Sequence, residues 1–107
     1  MTGGPEAPSA AVEVLDDAHG VLTLAITGEL DLASVEPVHA AIDLAMDGGR
    51  EQVVLELGAL TFMDSSGIAM VVQITKEVDS LVIRDVTPIV RRVLEVTGLA
   101  DVLGLGT

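Results

Sequence analysis

Alternation begins at Val12. Val12-Glu13-Val14-Leu15 starts a period of two, Asp17-Ala18-His19-Gly20 offers a turn, and Val21 to Thr27 alternates again. Leu22, Leu24 and Ile26 share one face of that second run, and Val21, Thr23, Ala25 and Thr27 share the other. Two such runs around a short Gly-containing turn predict a β-hairpin. After Gly28-Glu29-Leu30-Asp31 the period changes. Val38, Ala41, Ile42 and Ala45 recur at helical spacing. Ser34 is the expected N-cap of this first helix. Pro37 then falls in the first turn, where its missing N–H costs little, and Gly48-Gly49 stops the helix.

The second half carries shorter elements. Val53-Val54-Leu55, within Gln52 to Leu57, suits a strand covered on both faces. Gly58-Ala59 breaks the pattern, and Leu60 to Met63 leads into Asp64-Ser65-Ser66-Gly67. Ile68, Val71, Val72 and Thr75 mark a second helix, and Leu81-Val82-Ile83 a short strand. Thr87-Pro88 starts a third helix, with Thr as N-cap and Pro at the first helical position. Ile89, Val90, Val93 and Leu94 are expected to face the core, and Gly98 to close the helix. Leu99 to Leu105 reads as a short apolar tail that packs down. Residues 1–11, rich in Gly, Pro, Ala and Ser, read as a disordered tail ahead of a domain spanning 12–107. The order β-β-α-β-α-β-α predicts an α/β fold: a small mixed sheet flanked by helices, with an antiparallel first strand and right-handed parallel crossovers.

Composition narrows the function. The 107 residues fit one domain. Half are hydrophobic and nearly all of those are aliphatic, with Phe62 the one aromatic residue. No aromatic platform exists for stacking on bases or sugars. Five Lys and Arg against 17 Asp and Glu give a net charge of −12. Nucleic-acid backbones and anionic membranes repel such a surface, whereas a basic patch on a protein partner attracts it. No cysteine is present, which removes disulfides and thiolate metal sites. Met1 to Ala11 lacks the basic and apolar regions of a signal peptide. The apolar run Ile68 to Val72 is far short of the ~20 residues that span a bilayer. These features predict a soluble cytoplasmic protein that binds neither nucleic acid nor membrane.

In open α/β sheets, functional groups gather at the carboxyl ends of parallel strands. Gly28-Glu29-Leu30-Asp31 and Met63-Asp64-Ser65-Ser66-Gly67 both fall at such ends, and the fold should bring them together. The second is a strand-to-helix turn. Its free N–H groups can be capped by Asp64 or Ser65, and Gly67 leaves room for another protein to approach the backbone. A phosphate on Ser65 would add about −1.5 to −2 charges and three acceptor oxygens. The helix N-terminus tolerates that charge, while Asp64, Asp31 and Glu29 oppose it. The expected effect is on a partner contact more than on the fold.

Three stretches together resemble a known family: Ile26-Thr27-Gly28-Glu29-Leu30-Asp31, Phe62-Met63-Asp64-Ser65-Ser66-Gly67-Ile68, and Val90 to Leu99. Their order and spacing are similar to the STAS domain (sulfate transporter and anti-sigma factor antagonist), and within it to the small bacterial anti-sigma factor antagonists. The resemblance runs from about Val12 to Leu105. It implies a non-enzymatic switch. Unphosphorylated, such a protein binds an anti-sigma factor and so frees a sigma factor. The anti-sigma factor, an ATP-dependent serine kinase, ends the complex by phosphorylation, and a PP2C-type phosphatase restores it. By the resemblance, Ser65 is the phosphorylated residue, and Asp31, Asp64, Ser65, Ser66, Gly67 and Ile68 meet the partner. One departure stands out: the segment between Gly67 and Thr87-Pro88 is shorter than the family's by roughly one helical turn of ~3.6 residues. That favours an alternative, a STAS interaction subunit of a lipid-transport ABC complex or signalling scaffold that works without phosphorylation.

Other chemistries find less support. Ser65 or Ser66, His19 or His39, and Asp64 or Asp31 supply the residue types of a hydrolytic triad, but the Gly-x-Ser-x-Gly elbow is missing. Two distant histidines and scattered carboxylates suggest no metal site. Gly3-Gly4 and Gly48-Gly49 are not phosphate-cradling loops, and no cofactor is expected. Arg91-Arg92 reads as a solvated face, and Met46, Met63 and Met70 as core residues.

Overall fold

The computed structural model describes residues 9–46 and 52–99. The elements run β1 (Ala10–Ala18), β2 (Val21–Leu30), α1 (Leu32–Ala45), β3 (Gln52–Glu56), β4 (Leu60–Met63), α2 (Ser65–Glu77), β5 (Ser80–Arg84) and α3 (Pro88–Val96). β1 and β2 form the expected antiparallel hairpin. His19 and Gly20 both take positive φ, at 58° and 78°, which is the two-residue turn that matches strand twist. The sheet order is β1-β2-β3-β5, with β3 and β5 parallel to their neighbours, so the mixed α/β architecture is as predicted.

The predicted order lacked one strand. Leu60 to Met63 is β4, and it pairs in parallel with the far end of β2. β3 accompanies β2 from Val21 to Ala25, and β4 takes up the same edge from Gly28 to Leu30. Between them, Leu57, Gly58 and Ala59 stand opposite only Ile26 and Thr27, so the chain jogs outward by one residue. Gly28 marks the jog on β2. Its φ is +93°, and a Cβ there would run into the Ser9 carbonyl.

The start of the domain also differs. Ala10 pairs with Gly28 and is buried, and Glu29 donates its N–H to the Ser9 carbonyl at 2.6 Å. Residues 9–11, expected in a loose tail, therefore belong to the sheet edge. Residues 1–8, Gly48-Gly49 and residues 100–107 lie outside the described residues.

Leu22, Leu24 and Ile26 are buried, with Leu30 continuing their face. Val53, Val54 and Leu55 are buried in succession, as befits a central strand covered on both sides. α1 packs on β1 and β2, α2 on β4, β5 and α1, and α3 on β4. α3 buries Val90 and Leu94, but Ile89 is 61% exposed and lies off the core stripe. Thr87 is the N-cap of α3 by position. Its hydroxyl, however, donates to the Leu60 carbonyl at 2.8 Å and so ties α3 to β4. Met46, Met63 and Met70 are core residues, and Phe62 is exposed.

Candidate functional site

β2 and β4 end side by side, with Leu30 paired to Met63, and each strand passes directly into a helix. The residue after each strand is an aspartate that caps the helix. Asp31 caps α1: its Oδ1 accepts from the Ser34 N–H at 3.1 Å, while Ser34 Oγ accepts from the Asp31 N–H at 3.0 Å. This reciprocal box corrects the expectation that Ser34 is the cap. Ser34 is the third helical residue. It is buried, and its hydroxyl also donates to the Glu29 carbonyl at 2.9 Å. Starting the helix at Leu32 moves Pro37 out of the first turn into the helix body, where it removes one backbone bond.

Asp64 caps α2. Its Oδ1 accepts from the Ser66 N–H at 2.8 Å and the Gly67 N–H at 3.3 Å. Asp64 in turn donates its own N–H to the Leu30 carbonyl at 3.2 Å, which locks the two strand ends together. Asp31 is held from a third direction, by the Ser9 hydroxyl at 3.1 Å. Burial resists ionisation of Asp31. The hydrogen bonds from Ser34, Ser9 and the Ala33 N–H outweigh it and hold the carboxyl below its ordinary value.

Ser65 is the first residue of α2 and is exposed; Ser66 and Ile68 are half-buried. Asp64 already takes the N–H groups of Ser66 and Gly67. A group added to the Ser65 hydroxyl therefore finds those two donors occupied and points to solvent. Gly67 behaves differently from the expectation. It is buried, and a Cβ on it would meet Met63 Cγ at 2.8 Å and Leu30 Cγ at 3.0 Å. The missing side chain seats α2 on its own sheet.

Beside the turn runs a groove of about 360 Å³ between α1 and α2, lined by Leu32, Val35, Glu36, His39, Ser66, Ala69, Met70 and Gln73. Leu32 is 76% exposed at its rim. Of the residues expected at a partner surface, Asp31, Asp64, Ser65 and Ser66 gather at the two strand ends. The groove itself was not foreseen. Its signal in the sequence is the pair of helices that start at neighbouring strand ends. The triad reading gains nothing, since His39 turns to Glu77 Oε1 at 3.4 Å. His39, Asp43 and Glu77 also form a cluster that spacing alone did not suggest. Among the described residues, no helix is long and apolar enough to cross a membrane.

A five-stranded mixed sheet, with two capped helices leaving adjacent parallel strand ends, defines a class. Residues 11–107 match the STAS domain, and the chain belongs to that family, among its anti-sigma factor antagonists. The anti-sigma F factor antagonist of Paenibacillus polymyxa is 34% identical over 89 residues, covering 78% of this chain and 76% of that protein. The anti-sigma factor antagonist SpoIIAA in its unphosphorylated form superposes with a TM-score of 0.74 at 27% identity, over 85% of this chain and 84% of that one. The Bacillus cell fate determinant SpoIIAA in its phosphorylated form gives 0.66 at 26% identity, over 85% and 86%.

Proposed function

We propose that this chain is a non-enzymatic partner switch of the cytoplasm whose binding state is set by phosphorylation of Ser65. Unphosphorylated, it binds an anti-sigma factor and so releases a sigma factor. The anti-sigma factor is also an ATP-dependent serine kinase that modifies Ser65, and a PP2C-type phosphatase reverses the step. The observation that carries the reading is the placement of Ser65. It is an exposed hydroxyl at the first position of α2, on a turn held rigid by Asp64 and flanked by the Asp31 cap. SpoIIAA, similar in fold, exists in unphosphorylated and phosphorylated forms, which supports the same chemistry here.

The phosphate acts as a blocker. The donors nearest Ser65 are engaged by Asp64, so the added charge stays on the surface that the partner meets. Both capping carboxylates raise the local negative potential further. The docking face consists of the turn, Ile68 and the apolar groove rimmed by Leu32, with the −12 net charge steering a basic partner onto it.

The test is phosphorylation with the cognate kinase and ATP, followed by peptide mass spectrometry. One phosphate on Ser65 is expected. Ser65→Ala should keep partner binding and lose modification, and Ser65→Asp should weaken binding. Absence of phosphate on any serine, with a kinase shown to be active, would refute the switch and favour a constitutive docking subunit.

A further inference from the structure

His39 and Asp43 stand four residues apart on α1, one turn apart on one face. Glu77 closes α2 beside them. His39 Nε2 lies 3.7 Å from Asp43 Oδ1 and 3.4 Å from Glu77 Oε1. All three ligand atoms fall within 4.8 Å of one another. A ring nitrogen carries at most one proton, so it cannot point a straight hydrogen bond at both carboxylates. Both separations exceed those of a close hydrogen bond, about 2.7–3.2 Å. Two carboxylates thus converge on one nitrogen in a protein already at −12, an arrangement that a cation between them would satisfy.

We propose that His39, Asp43 and Glu77 bind one divalent transition-metal ion of the zinc type, which clamps α1 to the end of α2. An imidazole with two carboxylates is a donor set for zinc, whereas calcium and magnesium take oxygen ligands. Bonds of ~2.0–2.2 Å set ligand atoms roughly 3.3–3.6 Å apart around a tetrahedral ion. The separations from Nε2 approach that range, and small rotations of Asp43 and Glu77 close the rest. A fourth position is left for water. Gln73 Nε2 lies 3.4 Å from Glu77 Oε2, one turn back on α2.

Two ligands are prearranged by the turn of α1, but the third arrives only when α1 and α2 pack as they do here. The ion therefore binds the folded chain in preference to the unfolded one and stabilises it. His39 and Gln73 also line the groove that reaches Ser66, so an occupied site sets the spacing of the two helices that form it. This inference is independent of whether Ser65 is phosphorylated.

The experiment is calorimetric titration of the metal-free full chain with Zn²⁺, with the histidine ring protons followed by NMR. One ion per chain is expected. The His39 signals should shift and saturate at one equivalent while those of His19 stay still, and Tm should rise. His39→Ala and Glu77→Gln should each weaken binding by about tenfold or more, and Glu13→Gln, away on β1, should not. Excess Mg²⁺ should fail to compete. Unchanged Zn²⁺ affinity in both ligand variants would overturn the proposal. So would His39 signals that do not move in the wild-type chain, a readout that depends on no variant folding.

Discussion

Gly67→Ala tests how the turn is seated. The new Cβ would lie 2.8 Å from Met63 Cγ and 3.0 Å from Leu30 Cγ and Cδ2, where carbon atoms prefer about 3.5–4.0 Å. Leu30 is fully buried and Met63 is 2% exposed, so neither can swing into solvent. Something must open by roughly 0.5–1 Å. Overpacking of this kind costs about 1–3 kcal/mol, and replacing a helical Gly by Ala returns up to about 1 kcal/mol. The net expectation is a loss of about 1 kcal/mol, or roughly 4 °C in Tm for a domain of this size. Urea and thermal unfolding followed by circular dichroism suit a chain without Trp or Tyr. Met63→Ala alone should cost about 2–5 kcal/mol. The double variant should be less destabilised than the sum of the two by at least about 0.5 kcal/mol, because the trimmed side chain vacates the space that Cβ needs. A Gly67→Ala protein as stable as wild type, or strict additivity with Met63→Ala, would show that α2 does not rest on Leu30 and Met63.

Further outcomes follow from the caps and the core. Asp31 titrates below its ordinary value because hydrogen bonds favour its charged form. Its contribution to stability is therefore complete above the unfolded value of about 3.9 and is lost as pH falls through the folded value. Asp31→Asn should be less stable than wild type at pH 7, with the gap in urea midpoint closing below about pH 3.9; a gap that widens in acid would contradict the assignment. Leu94→Ala, at a fully buried site on α3, should cost about 2–5 kcal/mol. Ile89→Ala, on the same helix but 61% exposed, should stay within about 0.5 kcal/mol. Equal costs for the pair in urea unfolding would mean that the core stripe of α3 is misassigned.

Much of this protein was legible along the chain because its signals are local. Alternation in Val21 to Thr27 and the turn signal of Asp17-Ala18-His19-Gly20 suffice for the hairpin, although Asp17 and Ala18 belong to β1 and the turn is His19-Gly20 alone. Three apolar residues in a row suffice for a central strand, and Thr87-Pro88 for a helix start. Asp64-Ser65-Ser66-Gly67 was readable as a capped strand-to-helix turn with Asp64 or Ser65 as the cap; the structure makes Asp64 the cap and Ser65 the first residue of α2.

What the sequence left open depends on partners distant along the chain. Leu60 to Met63 buries only its two ends and so shows no period of two. It is a strand because β2 outruns β3 and needs hydrogen-bond partners on that edge. Asp31 and Ser34 are both good caps by type; the choice fell to Asp31 because β2 runs on to Leu30, where it pairs with β4. Gly67 announced only that a side chain is missing, and the packing of α2 on Leu30 and Met63 decided that the missing face points inward. His39 and Glu77 are 38 residues apart, and only the meeting of two helices from neighbouring strand ends brings them within 3.4 Å. Local periodicity and capping chemistry determined the elements and the turn. Long-range strand register decided which faces, which caps and which side chains meet.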